Sequence, residues 1–126
     1  LGLELNDNEG EDSFSLMPIL TSDAESVRAH AVSASIRGVP AVRSGQWKYI
    51  PAPGSAGWGK GGDQSQPIQL YHLGKDIGES NNLAAAEPEK VAELRKLLKK
   101  LITDGRSTPG PKQANDVKVV RHTGKL

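Results

Sequence analysis

The chain has 126 residues, a length that suits a single domain. Its 16 Lys and Arg nearly balance 15 Asp and Glu, so the net charge of +1 lacks the basic excess of a dedicated nucleic-acid binder. The absence of cysteine excludes disulfides, thiolate metal sites and a cysteine nucleophile.

Hydrophobic residues make up 36%, and the aromatics are two Trp, two Tyr and one Phe. With 14 Gly and 8 Pro, the expectation is a modest core surrounded by much loop. No apolar run approaches the roughly 18 residues of a membrane span. Residues 1–29 read as a linker. Their first dozen positions are mostly polar and acidic, and Ser13–Leu20 (SFSLMPIL) is a short apolar stretch interrupted by Pro18. Ser13 is expected to cap a helical turn that ends before the proline, because the residue before a proline avoids the α region.

Strand signals begin at His30. Val32–Ile36 (VSASI) alternates apolar and small polar residues with period 2, and Arg37-Gly38 reads as a turn. Val39–Arg43 and Trp47–Ile50 flank Ser44-Gly45-Gln46, a three-residue connection that predicts a hairpin. Pro40, lacking an N–H, belongs at a strand start or on an edge. Residues 51–66 (PAPGSAGWGKGGDQSQ) form a long glycine-rich loop with one aromatic, Trp58. Loops of this length inside a compact domain are uncommon and often functional. Pro67–Leu73 supplies a fourth strand, with Ile68, Leu70 and His72 on one face and Gln69 and Tyr71 on the other.

Gly74–Ala86 is turn-rich. Residues 88–104 then carry the strongest helix pattern in the chain. Pro88 suits the first turn, and Val91, Leu94, Leu98, Leu101 and Ile102 make one apolar stripe. Glu87 and Glu89 near the start and Lys96, Lys99 and Lys100 toward the end follow the sense of the helix dipole. Gly105 stands where a C-cap is expected. Residues 105–126 read as an extended polar tail, with a brief strand-like run at 117–120. The expected fold is α+β: a small antiparallel sheet of about four strands packed against one long C-terminal helix.

Chemistry-bearing groups are sparse. His30, His72 and His122 are too far apart for metal-ligand spacing. Asp76, Glu79, Asn81 and Asn82 lack the spacing of a calcium loop and read as a turn whose side chains bond back to the main chain. GWGKGG at 57–62 lacks the Lys-Ser/Thr ending and following helix of a phosphate cradle. Catalytic and metal-ligating residues are therefore both expected to be absent.

Several pieces in order carry a family resemblance. AVRSGQWKYI (41–50), PAPGSAGWG (51–59) and PIQLYHLGKDIGESNNLAAAEPEKVAELRKLL (67–98) resemble the C-terminal region of sulfatases of the arylsulfatase type. EDSFSLMPIL (11–20) resembles the segment that leaves the catalytic domain, and DGRSTPGPKQANDV (104–117) an ending found in a bacterial branch. The resemblance implies three parts. Residues 1–29 would link to a catalytic domain that is missing here, 30–104 would form the C-terminal α+β subdomain, and 105–126 the tail.

It also implies an exported parent, periplasmic or secreted, that hydrolyses sulfate esters with calcium and a formylglycine made within C/S-x-P-x-R. This chain departs from that motif: in Ser107-Thr108-Pro109, Pro111 stands where the arginine is needed. A second departure is Ala34, which precedes Ser35 where the branch often has histidine. No cofactor is expected in this segment. The partners it implies are the catalytic domain of the same chain and, through it, a sulfate ester, with neither nucleic acid nor membrane. Trp58 and Lys60 are the substrate-entrance candidates, the indole facing the catalytic domain and the ammonium attracting an anionic substrate. The alternative expectation is an autonomous interaction module using the glycine-rich loop and the basic helix face.

Overall fold

In the computed structural model of the chain, residues 5–55 and 64–114 are described. A short helix α1 (Met17–Thr21) leads to four strands, β1 (His30–Ala34), β2 (Pro40–Ser44), β3 (Trp47–Ile50) and β4 (Gln69–His72), and then to the long helix α2 (Pro88–Asp104). The strands form one antiparallel sheet in the order β1-β2-β3-β4. The α+β architecture read from the sequence is the observed one.

α2 runs over the span its pattern predicts, with Pro88 in its first turn and Gly105 as the left-handed cap at φ 64. A Cβ at Gly105 would stand 2.3 Å from the Gln113 carbonyl oxygen, so glycine is required by space as well as by dihedral. The helix buries Val91, Leu94 and Leu98 against Val42 of β2, Tyr49 of β3 and Leu70 of β4, while Leu101 and Ile102 lie partly buried at the margin. Those three strand residues lie side by side in register, so one row of the sheet meets one stripe of the helix. The Tyr49 ring is fully buried, and its hydroxyl accepts a 3.3 Å hydrogen bond from Arg95 Nε on α2.

Three local expectations are corrected. The first strand ends at Ala34 because Ser35 turns the chain. Its hydroxyl accepts from the N–H groups of Arg37 and Val39, and its N–H donates to the Val39 carbonyl. Ile36 is thereby carried into the turn and exposed. The β2–β3 hairpin closes with two residues rather than three, since Ser44 pairs with Trp47 and Gly45 takes φ 55. Finally, the helical turn near Pro18 starts around the proline instead of ending before it. Pro18 occupies the first turn of α1, where its missing N–H leaves no intrahelical bond unmade, and Ser13 is not the cap.

β4 is extended by a side chain. Asn82 Oδ1 accepts from the N–H groups of Leu70 and Ala84, and its Nδ2 donates to the Ile68 carbonyl. The Leu83 N–H adds a bond to the Leu70 carbonyl. Residues 82–83 thus satisfy the free edge of β4 much as a fifth strand would.

Candidate functional site

The sheet has a second face, turned away from α2, and it carries most of the polar groups. Arg43 of β2 lies directly opposite Lys48 of β3, and Lys48 opposite Tyr71 of β4. Lys48 Nζ pairs with Glu79 Oε1 at 2.6 Å, and Arg43 Nε donates to the Gly45 carbonyl at 3.0 Å. Glu79 itself adopts φ 53, a left-handed conformation that favours glycine. Its ion pair holds the 74–86 turn against the sheet.

The root of the glycine-rich loop is built on this face. Gln69, buried in β4, donates its Nε2 to the carbonyls of Ala52 (2.6 Å) and Gly54 (2.8 Å). Its Oε1 accepts from the Tyr71 hydroxyl at 2.7 Å. Gly54 lies at φ 59, and a Cβ there would collide with the Gln64 side chain across the base of the loop. Gln69 is thus a buried amide whose two Nε2 bonds go to the main chain on which the loop starts. Trp58 and Lys60, the entrance candidates, lie outside the described residues, as does His122.

The 74–86 turn behaves as its composition implies. The Asp76 carboxylate accepts from the Asn81 N–H at 2.8 Å and the Ser80 hydroxyl at 2.9 Å. The backbone hydrogen bonds from Asn81 and Ser80 are the main reasons its pKa falls below the ordinary aspartate value. Asp104, at the end of α2, is also lowered, first by its hydrogen bond with Lys100 and further by Lys112.

After α2 the chain doubles back. Arg106 is only 9% exposed, and no carboxylate pairs with it among the described residues. Its Nη1 donates to the carbonyls of Asp7 (3.3 Å) and Pro111 (3.1 Å), and its Nε and Nη2 both donate to Thr108 Oγ1. Thr108 passes the connection on, its hydroxyl donating to the Glu11 carbonyl at 2.6 Å. The N–H of Ser107 meets the same carbonyl and Asp12 Oδ1, and Gln113 Nε2 reaches the Asp7 carbonyl. Segments about a hundred residues apart are clasped around one guanidinium. Gly110 packs flat on it, since a Cβ there would lie 2.3 Å from Nη1.

His30 Nε2 and His72 Nδ1 are buried with no hydrogen-bond partner, His72 standing edge-on to Trp47 at 4.7 Å. Among the described residues no three His, Asp or Glu side chains are grouped to hold a metal ion. Among the described residues Asn82 bonds back to the main chain, as expected of the turn it belongs to, whereas Gln69 and Arg106, which each make three or more side-chain hydrogen bonds, did not stand out in the sequence. The only hint was two polar residues, Gln69 and Tyr71, alternating on a strand that follows a glycine-rich loop.

No family model matches the chain. It is similar to the N-acetylgalactosamine-6-O-sulfatase of Bacteroides thetaiotaomicron, at 35% identity over 104 residues, covering 79% of this chain and 20% of that protein. It is also similar to human arylsulfatase A, at 34% identity over 123 residues, covering 81% of this chain and 24% of that protein. A solved structure from work on the metabolism of multiple glycosaminoglycans by Bacteroides thetaiotaomicron superposes with a TM-score of 0.63 and 30% identity. That match covers 78% of this chain and 21% of the other. The chain therefore spans a fifth to a quarter of the length of the curated relatives it matches.

Proposed function

We propose that this domain, which is related to the sulfatases over 79–81% of its length, is the C-terminal subdomain of an arylsulfatase-like sulfuric ester hydrolase. It packs on the catalytic domain of the same chain and shapes the entrance to its sulfate pocket. The observation that carries this reading is the pairing of coverages: relatives match most of this chain, and this chain matches a small share of them. The catalytic groups of the family would then lie in the remainder of the parent.

The residues present do not fit the family's formylglycine. The two Ser-x-Pro triplets, Ser65-Gln66-Pro67 and Ser107-Thr108-Pro109, have Gln69 and Pro111 in place of arginine, and neither supplies the positive charge that stabilises an anionic sulfate centre. The main chain of Ser107 is instead engaged by Glu11 and Asp12. Nor do the described carboxylates suit calcium. Asp76 is occupied by Ser80 and Asn81, and Asp104 by two lysines. Formylglycine and calcium are thus proposed for the parent and for no residue here.

Within this reading Gln69 fixes where the glycine-rich loop starts, and Trp58 and Lys60 serve at the entrance. The 126-residue chain should not turn over an aryl sulfate, with or without calcium, and the encoding reading frame should carry C/S-x-P-x-R ahead of this domain. In that parent, Trp58→Ala should raise KM more for a bulky sulfate ester than for a small one. Turnover by the 126-residue chain, surviving Ser107→Ala, would overturn the assignment.

A further inference from the structure

Residues 13–22 (SFSLMPILTS) carry no charged side chain, in a protein where 25% of residues are charged. Within them Leu16, Met17, Ile19 and Leu20 are 42–74% exposed, and α1 contains no buried residue. A helix of five residues is too short to persist on its own hydrogen bonds, because nucleation is unfavourable and little propagation follows. Four large apolar side chains in five consecutive positions also differ from the single exposed hydrophobics of an ordinary surface. The other exposed large hydrophobics among the described residues, Leu5, Val32, Ile36 and Ile77, stand apart from one another in the sequence.

This patch is held on a fixed base. Upstream, residues 7–12 are fastened to the segment after α2 by the Arg106 clasp. Phe14 then lines a cavity of about 410 Å³ beside Leu97 and Leu101 of α2 and lies 4.9 Å beneath the Arg28 guanidinium. The anchored upstream arm presents α1 outward, an apolar projection without charge at its centre. That is the composition of the core of a protein interface, where charged residues are depleted and Met is enriched.

We propose that Leu16–Leu20 is the docking surface by which this domain seats on the catalytic domain of its own sulfatase chain. The occupant is argued from length. The matched relatives are four to five times longer than their match to this chain, so most of such a protein lies outside this domain and must pack against it somewhere. The inference rests on the functional reading above and adds the surface.

The chain has no cysteine, so one introduced thiol reports directly in it, and in the parent the label is read at the same position by peptide mass mapping. Leu20→Cys should react rapidly with a maleimide in the 126-residue chain and at least tenfold more slowly in the full-length parent. Ile77→Cys, 84% exposed in the described structure, should react rapidly in both. Because Leu20 is 74% exposed, its replacement should leave the unfolding midpoint of the 126-residue chain unchanged. Equal labelling of Leu20→Cys in chain and parent would overturn the surface while leaving the functional reading intact. Labelling of the 126-residue chain that slows as its concentration rises would make a second copy the occupant and also overturn it. A parent without C/S-x-P-x-R would overturn both readings together.

Discussion

Leu98→Ala tests whether the helix stripe holds the domain together. Leu98 exposes no surface and belongs to the cluster of Val42, Tyr49, Leu70, Val91 and Leu94. Truncation to alanine removes three carbons, worth about 2.4 kcal/mol in lost transfer at roughly 0.8 kcal/mol per methylene. The void left behind adds to this, since Leu→Ala changes in cores cost about 2–5 kcal/mol in total. Here the sheet is four strands backed by a single helix, so partial collapse can close some of the gap and the expected loss is about 3 kcal/mol. Urea denaturation followed by helical circular dichroism measures it as a drop in midpoint at unchanged slope. Leu97→Ala, on a partly buried neighbour, should lose less than half as much. A loss for Leu98→Ala below about 0.5 kcal/mol, the range of surface substitutions, would refute the packing of stripe on sheet.

Asn82→Ala strands two N–H donors and one carbonyl at the edge of β4, and in the same assay should cost about 1–3 kcal/mol, with Asn82→Asp recovering part because it keeps the acceptor. The Asp76 carboxyl should titrate below the ordinary aspartate value by NMR, because its charged form is hydrogen-bonded in the fold. A depressed folded pKa means that its stabilisation is complete above the unfolded value and is lost as pH falls through the folded one; Asp76→Asn should flatten that acid limb of the stability profile. Arg106→Met should speed amide exchange at Ser107 and Thr108 by about tenfold or more, equivalent to about 1.4 kcal/mol of local opening, while the helix unfolding midpoint moves little. Unchanged exchange would show that the clasp holds without its guanidinium.

What the sequence disclosed was set by local rules. α2 was legible because proline, apolar stripe and terminal glycine agree over seventeen residues. The hairpin was legible from Gly45 and flanking alternation, although its loop length was not, since Ser44 can belong to the turn or the ladder and only the pairing with Trp47 decides. The faces of β4 were also readable, with Leu70 and His72 on the helix side opposite Tyr49 and Trp47. Gln69 and Tyr71 were assigned to the opposite face, but their burial there depends on Ala52 and Gly54 arriving from the loop, a contact with no local signature. Trp58 and Lys60, outside the described residues, were chosen by residue type within a loop of unusual length.

The segment after α2 shows most clearly where local reading stops. Composition makes 105–114 a polar stretch with two prolines, and spacing makes Ser107-Thr108-Pro109 look like part of a catalytic motif. Its observed bonds follow a different logic. A buried guanidinium needs its donors met, and here main-chain carbonyls from two distant segments and one threonine hydroxyl accept from it. All of these acceptors are neutral, and among the described residues no carboxylate forms an ion pair with it. The arm that supplies the Asp7 carbonyl also carries Asp12, whose carboxylate accepts from the Ser107 N–H beside the guanidinium's own residue. Gly110 then becomes necessary because only a residue without Cβ can cover the guanidinium plane. Arginine, threonine and glycine at 106, 108 and 110 are therefore a single structural device. It fastens the arm that leads into α1, and so fixes the base from which the apolar residues of α1 are presented.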